Sequence, residues 1–131
     1  MTAEVEFQRM LYTVLSPLSG FDVYDIAPQA ADGASGAPFP YVTIGAFVIS
    51  EWDTQTGNGF DALVRLHTWS RTGSNKECLE IQAQLYGALH KQSLSITNHS
   101  SVLMRRESTT IIHEGDGQIH GVCEYRCLFD A

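Results

Sequence analysis

Two stretches of this chain alternate as β-strands do, yet both carry apolar side chains on both faces. In residues 40–52, Val42, Ile44, Ala46 and Val48 point one way and Tyr41, Thr43, Phe47 and Ile49 the other. In residues 60–69, Phe60, Ala62, Val64, Leu66 and Thr68 share one face, and Leu63, Arg65, His67 and Trp69 the opposite one. An antiparallel strand with one wet face shows polar residues at every second position. Both faces therefore need cover, one from helices of the same chain and one from another subunit. Residues 53–59 are polar and predict an antiparallel hairpin with a long tip. Trp52 ends the first strand and Trp69 the second, which reads either as a cross-strand aromatic pair or as an anchor at a subunit contact.

The remaining elements follow from periodicity. Residues 2–18 predict a helix, with Thr2 as cap and a stripe of Phe7, Met10, Leu11, Val14, Leu15 and Leu18. Residues 21–26 are compatible with a short strand, and residues 28–38 read as an exposed loop rich in small residues and breakers. Ser74-Asn75-Lys76-Glu77 fits a capping box opening a second helix, which buries Cys78, Ile81, Leu85 and Leu89, widened by Leu79, Tyr86 and Ala88. Residues 101–113 and 119–129 predict two more strands around a turn at residues 114–118, while residues 94–96 are too short to assign. The expected fold is α+β: a four-stranded, mostly antiparallel sheet with two helices packed on one face, in a single domain spanning residues 1–131.

Composition narrows the function. With 8 Lys and Arg against 15 Asp and Glu, the net charge is −7, whereas a stand-alone nucleic-acid binder needs a cationic field. No run of about 18 apolar residues or signal-like segment occurs, so a soluble, unsecreted protein is expected. Charged residues make up only 18% of the chain, which points to surface covered by partners. Cys78, Cys123 and Cys127 are expected as buried free thiols, because Cys123 and Cys127 would lie ~13 Å apart along a strand. The five histidines show neither HxH nor HExxH spacing, though His113 and His120 flank a turn. There is no nucleophile elbow and no phosphate loop, and the carboxylates are scattered. No catalytic, cofactor-binding or metal-ligating residue is therefore assigned.

Val23-Tyr24-Asp25, then Ala37-Pro38-Phe39-Pro40-Tyr41-Val42-Thr43-Ile44-Gly45, then Leu66-His67-Thr68-Trp69-Ser70 feeding a capped helix, together resemble one family. The chain is similar, from its first helix to Phe129, to the tail-completion (tail terminator, or tail-to-head joining) proteins of long-tailed phages and prophages. Ala46 departs from the polar or acidic residue that often follows the glycine in that family. The resemblance implies a structural virion protein at the tail–neck junction, assembled in the host cytoplasm. It implies a ring-forming subunit, six to the ring, that caps the tail tube, stops its growth and meets the head–tail connector while DNA passes through the bore. Its partners would be copies of itself, the tail tube protein and the connector or stopper. The family brings no catalytic residues and no cofactor.

A closed ring uses heterologous contacts, in which one patch meets a different patch on the next subunit. The two-faced hairpin offers Tyr41, Phe47, Ile49, Trp52 and Trp69 for such a contact, with Arg105 and Arg126 as single salt-bridge donors. Asp53, Thr54 and Gln55 in the tip, and Glu114 and Asp116 in the later turn, are candidates to meet the tube or connector. Acidic side chains along a bore would repel passing phosphates. Two alternatives stand beside this reading: a small α+β enzyme or ligand-binding domain with His67 or His120 in an enclosed cavity, and a head-side neck stopper.

Overall fold

A computed structural model of the chain describes residues 3–25, 39–52, 57–72, 74–92, 94–96, 99–115 and 117–130. The elements run α1 (Ala3–Leu15), β1 (Asp22–Tyr24), β2 (Tyr41–Glu51), β3 (Gly59–Ser70), α2 (Asn75–Leu89), β4 (Ser95–Ile96), β5 (His99–His113) and β6 (Ile119–Asp130). Thr2, the loop at residues 28–38, and the site candidates Asp53, Thr54, Gln55 and Asp116 lie outside the described residues.

The sheet has six strands in the order β1-β2-β3-β6-β5-β4, not four. The four long strands are those expected, and all pair antiparallel. The additions are short edge pieces. β1 pairs parallel with residues 41–43, and β4 covers His99 and Ser100 of β5. β1 falls within the segment read as compatible with a short strand, whereas the two residues of β4 carry too little alternation to be assigned from sequence.

Both helices lie on one face, as expected. Phe7, Met10, Leu11 and Leu15 of α1 and Cys78, Ile81, Leu85 and Leu89 of α2 are buried. They cover Ala62, Val64 and Leu66 of β3 and Cys123, Tyr125, Cys127 and Phe129 of β6. Leu79 and Tyr86, expected to widen the stripe of α2, are instead exposed, and Gln82 occupies the buried position. Gly121 of β6 explains the exchange: α2 sits so close there that a β-carbon would lie 2.5 Å from Cys78 Sγ and 2.6 Å from Gln82 Nε2.

The capping box is half realised. Ser74 Oγ accepts from the Lys76 N–H at 3.2 Å, but Glu77 turns to the sheet, where its Oε1 accepts from Ser70 Oγ–H at 2.6 Å. That bond satisfies a serine with no solvent exposure. We expect Ser74→Ala to cost about 1 kcal/mol, read as a shift of the denaturation midpoint.

The main correction concerns β2. Ile44 pairs with Leu66 and Phe47 with Val64, so Gly45 and Ala46 together oppose Arg65 in a β-bulge. One extra residue inverts the alternation that follows it. Val42 and Ile44 face the helices before the bulge, but Phe47 and Ile49 face them after it, packed on the core, and Val48 is left 62% exposed. The grouping of Val42, Ile44, Ala46 and Val48 on one face thus fails at Gly45. The wide spread of apolar residues over both faces of this strand is partly the trace of that phase change.

Candidate functional site

The second sheet face carries no helix. Its side chains come from the alternate positions of β3 and β6 (His67, Trp69 and His120 at one end; Asp61, Glu124 and Arg126 at the other) and from β5. The two ends differ in chemistry.

At the first end the ladder pairs Tyr41 with Trp69 and Trp69 with His120. The Trp69 and His120 rings stack with centroids 3.8 Å apart and planes 7° apart, and Tyr41 stacks on Trp69 at 6.3 Å. Phe39 continues the row, and the Arg71 guanidinium lies 4.9 Å from its centroid. These contacts leave Tyr41 only 4% exposed.

Two imidazoles meet beside this stack. His67 Nδ1 and His120 Nε2 are 2.8 Å apart, and His120 Nδ1 lies 3.2 Å from Glu114 Oε1. A carboxylate only accepts, so His120 donates from Nδ1 to Glu114, and its Nε2, when neutral, accepts from His67 Nδ1–H. Gly45 makes room for His67: a β-carbon there would lie 2.7 Å from Cδ2 and Nε2 of the ring. Burial, then His120, then Arg65 hold the His67 imidazole below the usual histidine range. Its cation is thus less favoured folded than unfolded. That contribution to stability is complete above the unfolded pKa of about 6.5 and is lost as pH falls below it. We expect the denaturation midpoint to drop between pH 7.5 and 5.5, and His67→Gln to flatten that dependence; an unchanged slope would show that the pair does not govern it.

At the second end charges neutralise one another. Arg65 pairs with Glu124 at 3.4 Å, and Arg126 with Asp61 at 3.4 Å and Glu107 at 3.5 Å. Arg105 is the register partner of Arg126 and reaches Glu107 at 3.9 Å. The basic cluster at Arg105, Arg106 and Arg126 is therefore split. Arg105 and Arg126 share this face, whereas Arg106 turns to the helices, its guanidinium 4.4 Å from the centroid of Tyr86.

The tryptophans are not neighbours. In an antiparallel hairpin the end of one strand meets the start of the next. Trp69 sits opposite Tyr41, while Trp52 donates its N–H to the Gly59 carbonyl at the other end, 2.7 Å away. His113, which flanks the turn with His120, reaches Asn75 Oδ1 on the helix side at 2.9 Å. The His67–His120 pair was not foreseen; positions 67 and 120 become informative only once β6 is placed beside β3.

No catalytic constellation emerges among the described residues. Those searched contain no group of three His, Cys, Asp or Glu side chains able to hold a metal. The three cysteines are free and buried, and burial raises the Cys78 thiol to about 11, away from the reactive thiolate. An open groove of about 460 Å³ beside α1 is lined by Val5, Gln8, Arg9, Tyr12, Thr13 and Asp25, without the histidine pair. No described helix is long and apolar enough to cross a membrane.

Comparison with known proteins supplies the context. No curated protein sequence matches significantly. Among solved structures, a chain of the virion of a native gene transfer agent (GTA) particle is similar in fold, with a TM-score of 0.73 at 18% identity, covering 96% of this chain and 92% of that one. The model of the tail completion protein gp17 family matches residues 13–130. This chain therefore belongs to the tail completion family, whose members are structural proteins of the phage virion tail and not enzymes.

Proposed function

We propose that this protein is one subunit of a six-membered ring that caps the tail tube, ends its growth and forms the surface on which the head–tail connector docks. Family membership over residues 13–130 carries the reading. The architecture supports it: helices cover one sheet face, and among the described residues no helix covers the other face and no strand pairs with part of each long edge. The fold likeness to a chain of a virion particle agrees with a place in such an assembly. Copies of this chain, the tail tube protein and the connector are the proposed partners, and DNA touches the ring only in passage. The net charge of −7 favours passage without adhesion.

Of the candidate residues, Trp69 and Glu114 on the uncovered face, with the charged row of Arg105 and Arg126, are proposed to meet neighbouring chains. Trp52 and the adjoining tip are proposed to meet the tube or connector. The test is electron microscopy of tails assembled without this protein. Overlong tubes, or tails that fail to join heads, are expected; tails of normal length that join heads would refute the role.

A further inference from the structure

The two outermost long strands are each capped over part of their length. On β2, β1 occupies the edge at residues 41–43. On β5, β4 occupies residues 99–100, the Lys91 N–H donates to the Met104 carbonyl at 2.7 Å, and the Arg106 N–H donates to His90 Nδ1 at 3.2 Å. Among the described residues, no strand pairs with the outer edge of residues 47–51 or of residues 109–113. Each open stretch is five residues long. An exposed strand edge of this kind is a template for another strand.

Hydrogen-bond parity shows that the two stretches fit each other. Trp52 donates to Gly59, so by the antiparallel alternation Trp52, Ser50 and Val48 address β3, and the backbone of Phe47, Ile49 and Glu51 addresses the open edge. Glu114 donates to Gln118, so Glu114, Ile112 and Thr110 address β6, and Thr109, Ile111 and His113 address the opposite open edge. The strand order makes β2 and β5 antiparallel to one another, so β5 of one copy extends into β2 of the next as a regular antiparallel pair.

The side chains select one register. Among the described side chains of the sheet, Val48 and Ile112, at 62% and 41% exposure, are the exposed large apolar ones, one on each open edge and both on the uncovered face. Setting Val48 opposite Ile112 places Ile49 opposite Ile111 on the helix side and Ser50 opposite Thr110. Val48 then meets Ile112, Ile49 meets Ile111, Ser50 meets Thr110 and Glu51 meets Thr109, with Phe47 facing His113, and the edge-facing backbone groups meet. Shifting by two residues would set Val48 against Thr110 or Glu114.

We propose that residues 109–113 of one copy pair with residues 47–51 of the next in this register, and that this is the heterologous contact of the ring. The inference rests on the ring reading above and specifies its interface. It also sets a geometry. Val48 lies in the row of Leu63 and Ile112 in the row of Trp69, six residues along β3, or about 20 Å. Four long strands span about 19 Å, so successive copies step along the strands about as far as they advance around the ring. That corresponds to strands tilted about 45° from the axis, at the upper end of the range that closed barrels use.

The test is a disulfide. Opposed residues of a non-hydrogen-bonded antiparallel pair are about 4.5 Å apart at Cα, within reach of such a bond. The full chain carrying Val48→Cys and Ile112→Cys is oxidised mildly, its remaining thiols are blocked before denaturation, and the products are sized without reductant. A ladder ending at the closed ring is expected from the double variant and none from either single variant. Assembled rings without a ladder overturn this contact and leave the ring standing. Dimers from Ile112→Cys alone show β5 pairing with β5 and overturn it too. A chain that remains monomeric throughout overturns the edge contact, and the ring is then judged on the tails themselves. Ile111→Pro removes one edge-facing N–H; it should keep the far-ultraviolet circular dichroism of the parent and lose assembly, and retained assembly overturns the proposal.

Discussion

Replacing Phe7 with alanine should cost about 3–5 kcal/mol, the cost of truncating a fully buried aromatic in a core that relaxes only partly. Phe7 has no exposure and is the main aromatic link between α1 and the sheet. Its ring meets Phe47 edge-on at 5.7 Å and stacks on Phe129 at 5.9 Å with planes 5° apart. Those partners belong to β2 and β6, on opposite sides of β3, so one side chain spans three strands. Typical domains hold about 5–15 kcal/mol in total, so this loss would be a large share of the stability. Urea denaturation followed by circular dichroism measures it. A loss under about 1 kcal/mol would mean that α1 is not docked as described.

Gly121→Ala should cost about 1–3 kcal/mol although it adds a single methyl group, because it overpacks the closest approach between α2 and the sheet. Gln82 can swing its amide away, but Cys78 Sγ, 2.5 Å from the new carbon, is held next to its own backbone. The helix must therefore lift. Adding Cys78→Ala should recover part of the loss, and the double-mutant cycle then gives a favourable coupling between the two sites. Strict additivity would contradict the contact.

Legibility in the sequence followed the range of the interactions. The four long strands and both helices were readable because their periodicity is local and sustained. The face assignment of β3 was also correct, since an uninterrupted period of two leaves no choice. The assignment failed for β2 at Gly45, where the bulge depends on the partner strand and leaves no local mark beyond a glycine. Among the interface candidates, Phe47 and Ile49 therefore lie partly buried on the helix side rather than on the uncovered face, and Tyr41 is covered by its aromatic neighbours. The Glu114–His120–His67 chain was not legible, because it joins strands whose adjacency is a matter of topology. Arg105 and Arg126, named together as single salt-bridge donors, proved to be register partners.

The strand order has one more implication. Among the described residues, β6 is the last strand and lies between β3 and β5 as the only one joining those two in the sheet. While the polypeptide is still being made, the first three strands and the fifth have no common neighbour, so the sheet cannot close before residue 119 and those after it have cleared the ribosome. Until then residues 109–113 lack the strand that orders them, whereas residues 47–51 can already pair with β3. The open edge at residues 109–113 is therefore formed only after β6 has been made, while that at residues 47–51 needs nothing later than β3.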